Sequence, residues 1–249
     1  MGSAASSTPA SRPAAQRYGA LLVRVGLGVA SGLCLLALPL GLVASNVRAV
    51  ALDRSFYLAE FARHGSGAAT GLSAAELQMV AEAFIAYFQA APGTLDVRIT
   101  RDGALVPLFN TREVAHMEDV QALMHLVFRV QMLALGYLAV FGAVGLVVGR
   151  SAFLQLALRL LGAGAALTIA MLLVLGGLVL TDFSSWFLRF HLVSFANDLW
   201  MLDPRRDNLI RLFPEGFFQD AALRVVGLTL AEALLVGIGA LGGLRLVRR

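Results

Sequence analysis

The chain has 249 residues, 58% of them hydrophobic and only 14% charged, and its mean hydropathy is +0.76. A soluble domain runs nearer half apolar and a quarter charged, so a soluble globular enzyme, a disordered chain and a nucleic-acid-binding protein are excluded. The formal net charge is +4 and every basic residue is Arg; in so apolar a chain, the location of those charges matters more than their sum.

Residues 1–24 are rich in Ala, Ser, Pro and Arg and read as a disordered cytoplasmic tail. Four apolar stretches follow, at 25–47, 130–149, 160–181 and 225–244. Each is long enough to cross about 30 Å of hydrocarbon as a helix. The first exceeds the 7–15 apolar residues typical of a secretory signal, so it reads as an uncleaved span. It holds Cys34, the single cysteine, which can form no internal disulfide, zinc knuckle or redox pair. Gly28 and Gly32, Gly145 and Gly149, and Gly239 and Gly243 show small-xxx-small spacing. That spacing lets helix backbones approach closely, and apolar Gly-rich spans also produce it by chance. Glu232 is the one ionisable residue inside a span. About 10 Å below the outer boundary, it is either an ion or proton carrier or a protonated acid bonded within the bundle.

Charge sets the orientation. The tail, the loop at 150–159 and the C-terminal 245–249 carry eight Arg and no acid. The loops at 48–129 and 182–224 carry twelve Arg and fifteen acidic residues. Positive charge marks the cytoplasmic side. Both termini are therefore expected inside, with the two long loops outside.

In the first loop, Asp53–Arg63 reads as a short helix broken by His64-Gly65-Ser66-Gly67, which leaves His64 on an exposed loop. Ser73 and Glu76 have capping-box spacing and open a helix running to about Gln89, with Leu77, Val80, Phe84 and Phe88 on one stripe. Leu95–Thr100 and Ala104–Phe109 read as strands joined across Asp102-Gly103. Asn110 and Glu113 form a second capping pair, opening a helix that runs through His116 and His125 into the second span. His116 and Asp119 stand at i and i+3. Either the carboxylate fixes the imidazole, or the two make an ordinary surface pair worth a few tenths of a kcal/mol. His125 reads as an interfacial or packed histidine.

The second loop is dense in aromatic and polar residues. If helical, it aligns His191, Ser194, Phe195 and Asp198 on one face, and Pro204 and Pro214 break it into short pieces. Rings suit a membrane–water boundary. That does not account for Asn197, Asp198, Asp203 and Asp207 so close to an apolar surface.

One string here runs Phe190-His191, Phe195, Asn197-Asp198, Trp200, Leu202-Asp203-Pro204, Asp207, Leu209-Ile210, then Pro214 and Phe217-Phe218. With Leu108–Glu113, His116-Met117 and Asp119-Val120 of the first loop, it resembles the integral membrane family of the lipoprotein intramolecular transacylase, Lit, over about residues 20–245. The fold expected is an all-α membrane protein: a four-helix transmembrane bundle whose first extracytoplasmic loop carries a helix and a small β-hairpin. The resemblance implies an acyltransferase of the bacterial cytoplasmic membrane. It moves the sn-2 acyl chain of a lipoprotein's diacylglyceryl-cysteine to the cysteine α-amino group, giving the lyso-form. The implied partners are diacylated lipoproteins and membrane lipids, without nucleic acid, cofactor or metal. His116 and His191 are the implied catalytic residues. Asp119 and Asp198 are expected to orient them, Asn197 to donate to an oxyanion, and Trp200, Asp203 and Asp207 to support the site. The competing readings are a metal-dependent hydrolase, which lacks any HExxH spacing, and a transport or assembly protein without acyltransferase activity.

Overall fold

The computed structural model describes residues 14–247. Its elements are α1 (Ala14–Ala51), α2 (Arg54–Arg63), α3 (Ser66–Thr70), α4 (Ala74–Gln89), β1 (Arg98–Arg101), β2 (Ala104–Pro107), α5 (Thr111–Thr181), α6 (Phe183–Ser194), α7 (Asn208–Leu212) and α8 (Glu215–Val247). The expected tail at 1–13 lies outside the described residues. Residues 14–24 are helical and extend α1, a correction to the tail boundary. A helix propagates more easily than it nucleates, and here it runs back through Leu21-Leu22-Val23 into Ala-rich sequence.

α1, α5 and α8 are long and apolar enough to cross a membrane, and they pack on one another. α5 has 71 residues, so if straight it would exceed about 100 Å. It folds back at Arg150, whose φ of 47° and ψ of −128° break the helix. Phe141 and Phe153, twelve positions apart, have ring centroids 5.3 Å apart across that reversal. The glycine spacings divide accordingly. A Cβ on Gly145 or Gly149 would overlap Phe153 of the returning arm, and one on Gly243 would crowd Leu158. Gly28, Gly32 and Gly239 meet nothing within 4 Å among the described residues, so there these three make no close helix contact.

Within the apolar layer, Asn46 is buried and donates to Glu232 at 2.7 Å and to Thr229 at 3.1 Å, joining α1 to α8. Glu232 is thus a bonded group of the helix packing.

The remaining elements form a domain at one end of the long helices. Asp53 caps α2, accepting from the backbone N–H groups of Ser55 and Phe56. Ser73–Glu76 and Asn110–Glu113 both form complete capping boxes, as their spacing predicts. The hairpin is shorter than expected, four residues a strand, and turns at Asp102 (φ 51°) and Gly103 (φ 79°). Leu108 N–H still donates to Val97 O at 2.8 Å, continuing the pairing beyond the strands. The core is aromatic: Phe56, Tyr57, Phe61, Phe84, Phe88, Phe109, Phe213 and Phe217 are buried together. Both loops contribute to it, so neither folds as a separate unit.

Candidate active site

The site is built where the start of α5 meets the loop after α6. Glu113, on the first turn of α5, is 1% exposed. Its carboxylate accepts from Asn110 N–H at 2.7 Å and Leu209 N–H at 2.6 Å. Asp207, also 1% exposed, accepts from the Asn110 side-chain amide at 2.9 Å and from Asp203 N–H at 2.7 Å. The N-cap of α5 is thereby bolted to residues 203–209. Asp203 closes its own turn on Arg205, whose hydrogen bonds hold the Asp203 carboxyl down at about 2.

This bolt brings His116 of α5 to His191 of α6. Their ring centroids are 6.4 Å apart, inclined by 32°. Phe195 fills the angle between them, 5.1 Å from His116 and 5.7 Å from His191. The helix expected to carry Asp198 on the His191 face ends at Ser194. Phe195 is extended (φ −126°, ψ 130°), which swings its ring inward and takes Asp198 off the helix.

The two histidines sit differently. His191 Nδ1 donates to the Phe187 carbonyl at 2.7 Å, which leaves Nε2 as the ring's free lone pair when neutral. Trp200, 5.0 Å away, flanks the ring, and its indole N–H is anchored on Asn197 O at 2.9 Å. His116 is 7% exposed, and its Nδ1 has no hydrogen-bond partner among the described residues. It stands ahead of the apolar stretch that begins at 130. Burial, and then the neighbouring His191, lower its pKa to about 4. It is therefore a neutral imidazole at physiological pH.

The expected orienting groups take other partners. Asp119 accepts from the Asn197 amide at 2.8 Å. Asp198 is exposed and faces Arg112, 3.5 Å away, instead of His191. Asn197 donates one amide hydrogen to Asp119, and its Nδ2 carries a second. Sequence reasoning passed over Arg112. Its guanidinium also donates to the Asp198 carbonyl, while its buried Nε has no partner among the described residues. Nothing in its spacing marks it out, because its partner comes from the other loop.

The depressed His116 pKa carries a stability consequence. Between pH 6.5 and about 4 the unfolded chain takes up a proton that folded His116 refuses. Stability then rises with pH across that window, and acidification removes it. The thermal midpoint should fall from pH 6.5 to 4 more steeply for the wild type than for His116→Gln. Identical slopes would show that His116 is not held neutral.

A mostly helical chain with helices long and apolar enough to cross a membrane holds His116 and His191 together among aromatic rings. The family described as lipoprotein intramolecular transacylase Lit matches residues 33–218, well over half of the chain. The chain belongs to the Lit family and is an acyl-transferring enzyme. Solved structures of the Bacillus cereus Lit transacylase share its fold. One has a TM-score of 0.73 at 22% identity, covering 88% of this chain and 96% of that one. A histidine-to-arginine variant of it gives 0.70 at 20% identity, covering 94% and 98%. A histidine-to-alanine variant gives 0.69 at 21% identity, covering 92% and 98%. A comparison with curated proteins returns no match.

Proposed function

We propose that this chain passes the acyl chain at the glyceryl sn-2 position of a lipoprotein's N-terminal diacylglyceryl-cysteine to that cysteine's α-amino group. The observation that carries this reading is the pairing of His116 with His191 at 6.4 Å. Ester becomes amide within one molecule, so each proton lost must be returned. An α-ammonium group has a pKa near 8, so about a tenth of the amine is neutral at pH 7, and it is this neutral fraction that attacks. His191 Nε2 takes the proton that the amine loses as nitrogen attacks the ester carbon. Neutral His116 donates a hydrogen bond to the oxygen on which negative charge develops. As the ester C–O bond breaks, His191 returns its proton to the glyceryl oxygen. The lyso-form retains two acyl chains, one now an amide.

Amine and ester belong to one substrate, so holding them together supplies much of the acceleration. Beside His191, Phe190 is 45% exposed and Leu192 60%, an apolar surface on which acyl chains can lie. Trp200, Asp203 and Asp207 act by holding the loop and the His191 ring in place.

The charge distribution supports four spans, with the reversal at Arg150 separating the second from the third. It puts both termini in the cytoplasm and the histidine site on the outer face, where lipoproteins are displayed. A reporter fused at Gly103 reads that orientation, and a cytoplasmic signal there would remove the substrate from reach.

A mixture of isotope-labelled and unlabelled diacyl lipopeptides, incubated with the purified protein in detergent without phospholipid, tests the reaction. Mass spectrometry should find lyso-form product with two chains and no crossed species. An N-acetylated lipopeptide should be inert. Crossed products would refute intramolecular transfer. A third chain would show a phospholipid-dependent N-acyltransferase, and one chain a hydrolase.

A further inference from the structure

His64 is not the free loop residue that its sequence suggests. It caps the C-terminus of α2, and its ring is packed against α8. A Cβ on Gly216 would overlap that ring, so the glycine is what admits it. His64 Nε2 lies 3.0 Å from Asp220 Oδ2 on α8 and 3.2 Å from Glu60 Oε2, one turn back on α2. One donor atom from each of the three residues falls within 4.8 Å of the others.

Glu60 is the unusual member. It is 7% exposed, yet its Oε2 has no hydrogen-bond partner among the described residues. The imidazole beside it is near without being aligned to donate. Burial and the adjoining Asp220 carboxylate push the Glu60 carboxyl up. Two carboxyl groups so placed need a proton or a cation between them. Arg63 reaches Asp220 Oδ2 at 3.0 Å, but its side chain is 63% exposed and it makes no contact with the Glu60 oxygen left open.

We propose that Glu60, His64 and Asp220 form a structural site for a divalent cation of the zinc class, clamping α2 of the outer domain to α8. One imidazole nitrogen and two carboxylate oxygens suit that ion. The geometry suits it too. Donors at ~2.0 Å from a tetrahedral metal stand about 3.3 Å apart, and the His64 nitrogen is 3.0 and 3.2 Å from its two neighbours. The spacing Glu-x-x-x-His places two donors on one helix face, and the third comes from a different element. A cation binds the deprotonated carboxylates and the neutral imidazole, so binding tightens as pH rises. This site is separate from the histidine pair and takes no part in acyl transfer.

The test uses the full chain in detergent, stripped with a chelator and titrated with Zn²⁺. Calorimetry should find one Zn²⁺ per chain, and the thermal midpoint should rise by several degrees. Glu60→Gln, which keeps shape and removes a ligand charge, should weaken binding at least tenfold. His64→Ala should do the same. Glu60→Gln should keep a metal-free midpoint near the wild type, which separates lost binding from lost folding. His116→Ala should bind Zn²⁺ as the wild type does. The proposal is overturned if Zn²⁺ leaves the wild-type midpoint unchanged, or if binding survives Glu60→Gln and His64→Ala. Loss of binding in His116→Ala would likewise overturn it, by locating the metal at the histidine pair.

Discussion

His116→Ala and His191→Ala should each lower lyso-lipoprotein formation by about 10²–10⁴-fold, the usual worth of a positioned acid or base. Both proteins should still insert in the membrane. The two losses should not add, because both groups serve one proton cycle. The double variant is therefore expected to be little worse than the poorer single one. His191 also rests on Phe187 and Trp200, so truncation disturbs packing as well as chemistry. A His191→Gln variant keeps much of that volume and should be as inactive as the alanine. His64→Ala, outside the pair, should retain activity. Full activity in either paired variant, or equal loss in all three, would contradict the division of roles proposed for His116 and His191.

Glu113→Ala should unfold the site before it touches the chemistry. The Glu113 carboxylate holds the α5 cap and the buried Leu209 N–H at once. Removing it leaves a buried donor unpaired and breaks a capping box, for a combined cost of about 2–4 kcal/mol. That is a large part of the few kcal/mol that separate folded from unfolded domains. Residues 203–209 then lose an attachment to α5, and His191 loses its fixed approach to His116. The expected result is a thermal midpoint lowered by several degrees, with activity falling alongside. Glu113→Gln keeps one accepting oxygen and should fall between. An unchanged midpoint in Glu113→Ala would show that the bolt does not hold the two loops.

Much of this architecture follows from local rules and is therefore legible in the chain. Apolar length against charge marked the long apolar helices, because burying ionised groups in hydrocarbon is costly. Both capping boxes formed where Ser73 with Glu76 and Asn110 with Glu113 stand three apart, since N-capping is a contest settled within one turn. Asp102-Gly103 turned the hairpin because its backbone needs positive φ at both positions. Helical spacing left both histidines ambiguous, and a family resemblance over 190–218 and 108–120 singled them out.

What tertiary structure alone decided is which groups face each other across the two loops. His116 and His191 are 75 positions apart, and no local rule pairs them. Their meeting depends on Glu113 and Asp207, two buried carboxylates whose bonds cross from one loop to the other. The same dependence on distant partners moved Asp198 onto Arg112 and gave Asn197 to Asp119. It also turned His64 from a loop residue into a neighbour of Asp220. Hydropathy and capping are satisfied by near neighbours in the chain, so the sequence by itself determined the long apolar helices and most helix starts. A polar side chain at the rim of an apolar layer must find whichever partner folding brings, and only the packed aromatic core determines which one that is.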